Sequence, residues 1–160
     1  MGKVLSTFQN GFPGAVSRSA DNIIISLRNA SGADVAFGSP LFAVSGERAC
    51  RAFSASSSTP ETFVGFAVRA ADKTPDIYGS NQAVYHANEP TDVLVRGSTV
   101  LKFESAALPG NSVYIRLADG KLVTSAGSEG TTLQLPGVTV ATARDAGRCA
   151  EVVLAKRNLL

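Results

Sequence analysis

Ser112-Val113-Tyr114-Ile115-Arg116-Leu117-Ala118-Asp119-Gly120-Lys121-Leu122-Val123-Thr124 is the stretch whose reading decides the fold. Val113, Ile115 and Leu117 alternate with Tyr114 and Arg116, so a pleated strand puts three apolar side chains on one face and two polar ones on the other. Asp119-Gly120 is a strong two-residue hairpin signal, and Lys121–Thr124 supplies the return strand. A helix would scatter the same residues around its circumference. This part of the chain therefore reads as a half-buried antiparallel hairpin.

The same reading extends outward. Toward the N-terminus, Leu108-Pro109-Gly110-Asn111 reads as a turn. Before it, Asp92–Gly97 and Thr99–Phe103 read as a hairpin-like pair of strands. Phe63-Val64-Gly65-Phe66-Ala67-Val68 is a strand whose internal glycine marks a bulge or a close backbone approach. Leu41–Val44 and Arg51–Phe53 read as a pair, Val35–Phe37 as a short strand, and Asn22–Arg28 as the first strong β-branched run. Toward the C-terminus, Thr131–Leu135, Val138–Ala143 and Glu151–Ala155 complete the set. No window carries an apolar helical stripe over three turns. About ten short strands with regular turns predict an all-β fold: a β-sandwich or jelly-roll-like domain, or a barrel-like one. The expected organisation is an extended N-terminal arm over residues 1–20 and a single β-rich domain over residues 21–160, with long loops.

Residues 70–91 stand apart. The segment carries Pro75, Gly79 and Pro90 and mixed polar residues. Connections seldom exceed about 12–15 residues unless they are functional or disordered. It is read as a contact loop, with Ile77, Tyr78, Tyr85 and His86 as its candidate contact residues, because tyrosine is enriched at interface cores. The competing reading, in which the tyrosines anchor the loop to their own domain, stays open. In the arm, Leu5, Phe8 and Phe12 sit among glycines and polar residues and are the other candidate contacts. An ordinary first strand docked on its own domain is the alternative there.

The 160 residues can bury a real core without a metal or a disulfide. The charged fraction of 18% falls below the usual level of about a quarter, which suggests that much of the surface meets protein rather than water. A formal net charge of +2 with scattered cations gives no phosphate-binding face, so nucleic acid is not an expected partner. No run approaches the roughly 18 apolar residues of a membrane span, so no membrane partner is expected. His86 is the sole histidine, and nothing around it or around Cys50 and Cys149 forms a triad signature or a metal-ligand spacing. Asp72 and Asp76 lack the dense oxygens of a calcium loop. No enzymatic activity, cofactor or metal is expected. In a reducing cytosol the two cysteines are expected as buried thiols, a disulfide being the alternative.

Several landmarks occur in one order: Asn10–Val16, Ala36-Phe37-Gly38-Ser39-Pro40-Leu41, Phe63–Val68, Val93-Leu94-Val95-Arg96-Gly97, Pro109–Arg116, Leu135-Pro136-Gly137-Val138 and Ala150–Leu154. This order resembles the structural cement, or head decoration, proteins of tailed bacteriophages, across nearly the whole chain. The resemblance implies a β-rich protein without catalytic residues. It would be made in the bacterial host cytoplasm and placed on the outer surface of the phage head in the virion. There it would bind the major capsid protein of the expanded shell and bridge neighbouring subunits, self-associated as a dimer or trimer. The alternative carried alongside it is a virion-associated module that adheres to host glycans. The absence of tryptophan counts against a sugar platform.

Overall fold

The computed structural model describes residues 9–70, 73 and 83–155. Eleven strands follow in order: β1 (Val16–Asn29), β2 (Val35–Ala36), β3 (Pro40–Ala43), β4 (Ala49–Ala52), β5 (Phe63–Ala67), β6 (Val84–Tyr85), β7 (Pro90–Lys102), β8 (Ser112–Arg116), β9 (Leu122–Val123), β10 (Thr132–Val140) and β11 (Cys149–Leu154). The deciding hairpin forms, but β8 ends at Arg116, so Leu117 leaves the apolar face and joins a four-residue turn, Leu117–Gly120. Tyr114 pairs with Val123 and Ile115 with Leu122, and Val113 and Ile115 are buried.

Nine of these strands form one sheet that curls back on itself. Its order is β1-β4-β3-β5-β7-β11-β10-β8-β9, and β1 also pairs with β7. β1, β4, β3, β5 and β7 therefore make a closed circuit of pairings, a small barrel. From β7 the sheet continues through β11, β10, β8 and β9, and a bridge from Phe103 to Leu122 brings β9 back to the end of β7. The long strand β7 belongs to both halves. β2 and β6 form a separate two-stranded ribbon. The all-β, barrel-like expectation holds.

Two apolar clusters fill this frame. Leu27, Leu41, Cys50, Val64, Ala67, Val93 and Val95 pack together in one, with Phe37 and Tyr85 from the β2–β6 ribbon region. The other gathers Phe42, Phe63, Phe66, Leu101, Phe103, Ile115, Leu135 and Val152. β3 and β5 contribute to both, so they are buried on both faces and read in sequence as unbroken apolar runs. The Phe42–Phe63 and Phe63–Phe66 ring pairs meet edge to face at 5.8 and 5.3 Å. Such offsets suit the ring quadrupole better than stacking.

Two expected chain breaks do not occur. Asp92–Gly97 and Thr99–Phe103 are not the arms of a hairpin but parts of the continuous β7. Gly97 adopts φ +125° and serves as an irregularity opposite β1. A Cβ there would collide with the side chain of Asn22, whose Oδ1 accepts a hydrogen bond from the Ser98 N–H at 3.1 Å. Likewise the two expected strands Thr131–Leu135 and Val138–Ala143 are represented by one, β10, which ends at Val140 and whose register against β8 shifts across Pro136-Gly137. At Pro136-Gly137 the extra residues lie in β10 itself, whereas at Gly97 they lie opposite, in β1 between Arg18 and Ile23, and β7 keeps its register against β11. The long loop is also shorter than expected, since β6 lies inside it and pairs with β2.

Candidate functional site

The described part of the N-terminal segment is bound to its own domain by specific hydrogen bonds. Asn10 is the first fastening. Its backbone N–H donates to Asp145 Oδ2 at 2.7 Å, and its side-chain amide donates to the carbonyls of Ala143 and Cys149 at 2.9 and 2.8 Å. Further along, the Gly14 N–H donates to the Val100 carbonyl at 2.8 Å and the Val100 N–H to the Ala15 carbonyl at 3.0 Å. The Arg69 N–H donates to the Gly14 carbonyl at 2.8 Å. Between these fastenings Phe12 is 50% exposed, with the Arg69 guanidinium 5.4 Å from its ring centre. The same guanidinium lies 5.7 Å from the Phe37 ring, so one cation links an exposed ring to a buried one.

Phe12 forms part of the rim of a groove of about 740 Å³. The groove is also lined by Ala36 and Phe37, by Ala83 and Val84, by Lys102 at the end of β7 and by Asp145 before β11. The two regions singled out in the sequence thus meet at one groove, the arm on one side and the end of the long loop on the other.

Tyr85 and His86 are adjacent in sequence and differ in role. Tyr85 is 2% exposed; its ring meets Phe37 edge-on at 5.5 Å and its hydroxyl donates to the Val68 carbonyl at 2.8 Å. The structure places it as the anchor of the loop, the reading held open for the tyrosines. His86 is exposed, with Nδ1 3.1 Å from Asp34 Oδ1. Its backbone N–H donates to Glu89 Oε2, which also accepts from Lys73 Nζ at 2.6 Å. The Lys73 hydrogen bond is the main reason that the Glu89 carboxyl is held below its ordinary pKa. Leu5, Phe8, Ile77 and Tyr78 lie outside the described residues.

Asn29, the last residue of β1 and not among the sequence-predicted site residues, organises this region. It is fully buried. Its amide shares its protons among the carbonyls of Ala33, Tyr85 and His86 at 2.9, 3.3 and 3.1 Å, and its Oδ1 accepts from the Ser31 N–H at 2.9 Å. Its main chain bonds to both Asn88 and Glu89. The only prior signal was the Asx-turn tendency of Asn before Ala-Ser-Gly, which indicates a turn but not a distant partner.

A second surface feature was also missed. Ile23 and Ile24 are 36% and 44% exposed. The register of β1 against β7 shifts between Arg18 and Ile23 and again between Ile23 and Ile24, which turns this pair outward. The two cysteines are separate free thiols, both buried, and burial pushes the Cys50 thiol up to about 11. Among the described residues no three His, Cys, Asp or Glu side chains cluster in a way that could hold a metal.

The structure is that of a two-lobed β protein whose notable features are surfaces and edges. The model of the structural cement protein family, described as E217 gp24/Pam3 gp6, matches residues 3–155, and the chain belongs to this family. Membership carries a capsid-associated structural role in the virion. Among solved structures, a chain of the capsid of Myoviridae phage XM1 has the same fold, with a TM-score of 0.71 and 20% identity over 97% of this chain and 96% of that one. A search of curated proteins finds no significant match.

Proposed function

We propose that the protein binds the outer surface of the expanded phage head, bridges neighbouring major capsid subunits and acts as a non-enzymatic cement. The family match across residues 3–155 carries this reading. A protein that binds only the expanded lattice stabilises it by mass action. Self-association as a dimer or trimer would add multivalency on a repeating shell, so modest individual contacts suffice. Phe12, with Arg69 beside it, is the described residue best suited to a partner contact, because an exposed ring on a fastened segment loses little freedom on binding. His86, exposed on the neighbouring loop, is the second. Leu5, Phe8, Ile77 and Tyr78, which belong to the same two stretches of sequence, are further proposed contacts. Among the described residues Phe12 is the one exposed aromatic side chain, which does not favour a stacked sugar platform and so weighs against the glycan-adhesion alternative.

Co-sedimentation with purified expanded heads lacking the protein tests the proposal. Saturable binding at a fixed ratio to the major capsid protein is expected, and the ratio would indicate the symmetry axis occupied. Absence of binding to any head form would refute it.

A further inference from the structure

The small barrel is not fully walled. β1 and β4 pair only at Arg28–Ala49 and Asn29–Cys50. On that side, no strand among the described residues pairs with β1 from Val16 to Leu27. A slot of about 560 Å³ opens there, with Ile25, Leu27, Ala43 and Val44 as its apolar lining and the turn from Ser45 to Arg48 as its far wall.

Backbone direction follows from the ladder. The Arg28 N–H donates toward β4, to the Arg48 carbonyl, whereas the Asn29 N–H donates toward the other side, to Glu89. Alternation then turns the N–H and C=O of Ser26 and Ile24 toward the slot. The partner strand agrees. Asp92, opposite Ser26, accepts from the Val68 N–H of the β5 side and so turns its groups away from β1. The slot therefore presents a row of backbone donors and acceptors above an apolar floor. An extended peptide satisfies both at once, pairing through its main chain and seating alternate side chains on Ile25, Leu27 and Ala43.

We propose that this slot takes one extended, predominantly apolar segment of the major capsid protein, which completes the barrel wall as an added strand. The inference rests on the function proposed above. The slot has walls on two sides, so it suits a lone strand. The β1 edge of a second copy is tied along its own β7 and could not enter without it. At the rim Glu47 Oε2 is paired with Arg28 Nη2 at 2.5 Å and Arg48 stands beside them, so the entrance carries a net positive charge and disfavours a basic segment.

Ser26→Pro is the test. Ser26 is exposed, and its N–H faces the slot and not β7, so proline removes the edge donor and fills the approach while leaving the β1–β7 ladder intact. Val44→Glu is the second variant, placing a charge in the slot without altering β1. Each is to be compared with Ser26→Ala by thermal melting and by co-sedimentation with expanded heads. Both variants should melt close to the wild type yet bind heads about tenfold more weakly or worse, with Ser26→Ala unchanged. If Ser26→Pro fails to fold, Val44→Glu decides alone. Folded variants that bind like the wild type would overturn the inference and leave the proposed function standing, whereas a wild type that does not bind heads would remove both. Loss of self-association in free solution on either substitution would assign the slot to a second copy and also overturn the inference.

Discussion

Asn29→Ala should have an effect far larger than its place at the start of a turn suggests. The substitution deletes an amide that donates to the Ala33, Tyr85 and His86 carbonyls and a carbonyl that accepts from the Ser31 N–H. The bond to Tyr85 is buried, so its acceptor is left without water, at a cost of about 1–3 kcal/mol. The others are partly buried and recover some hydration, and together they add about 1 kcal/mol. The sum is about 2–4 kcal/mol. In a domain of this size each kcal/mol moves the melting temperature by about 2–4 °C, so a fall of about 5–15 °C is expected. Calorimetry gives the total. Hydrogen exchange gives the location, since the amides of Asn88 and Glu89 should lose protection before those of β11. A fall of less than about 2 °C, or uniform loss of protection, would refute the idea that this amide ties the loop to the end of β1.

Gly65→Ala should prevent folding or cost about 3 kcal/mol or more, because its Cβ would collide with the backbone carbonyl of Leu94, which cannot swing aside as a side chain can; soluble yield and urea midpoint measure it. Asp119 is held down to about 2 by the hydrogen bonds of Arg116. A depressed carboxyl contributes stability that is complete above its unfolded value near 3.8 and is lost as pH falls toward 2. Arg116→Gln should therefore flatten the stability profile between those two values, with little change in its slope above pH 5, as acid titration of the melting temperature would show.

Much of the fold was legible because period-2 patterning and turn chemistry agree locally. Ser112–Thr124 needed nothing distant to be read as a hairpin, and Leu41–Val44 and Phe63–Val68 stood out as apolar runs rich in aromatic and β-branched residues. The misreadings share a cause. Gly97 and Pro136-Gly137 have the composition of turns, yet each lies within a strand that its partners keep extended. Only tertiary pairing separates the two outcomes. Tyr85 illustrates the same limit at the candidate site, since nothing local distinguishes a tyrosine that faces a partner from one whose hydroxyl reaches Val68. Ile23 and Ile24 belong to the first β-branched run and both emerge on the surface, because the register shifts on either side of Ile23 break the simple inside-outside alternation. The open wall beside Ser26 could not be foreseen at all. It is a property of where β4 stops pairing with β1, which no local pattern encodes.

The central claim is that the protein strengthens a shell, which is more than residing on one. The direct measurement is the temperature at which DNA escapes from filled heads lacking the protein, with and without purified protein added back. The account predicts a release temperature that rises with added protein and levels off at the same ratio that saturates binding. Heads that bind the protein fully but release their DNA at an unchanged temperature would contradict it.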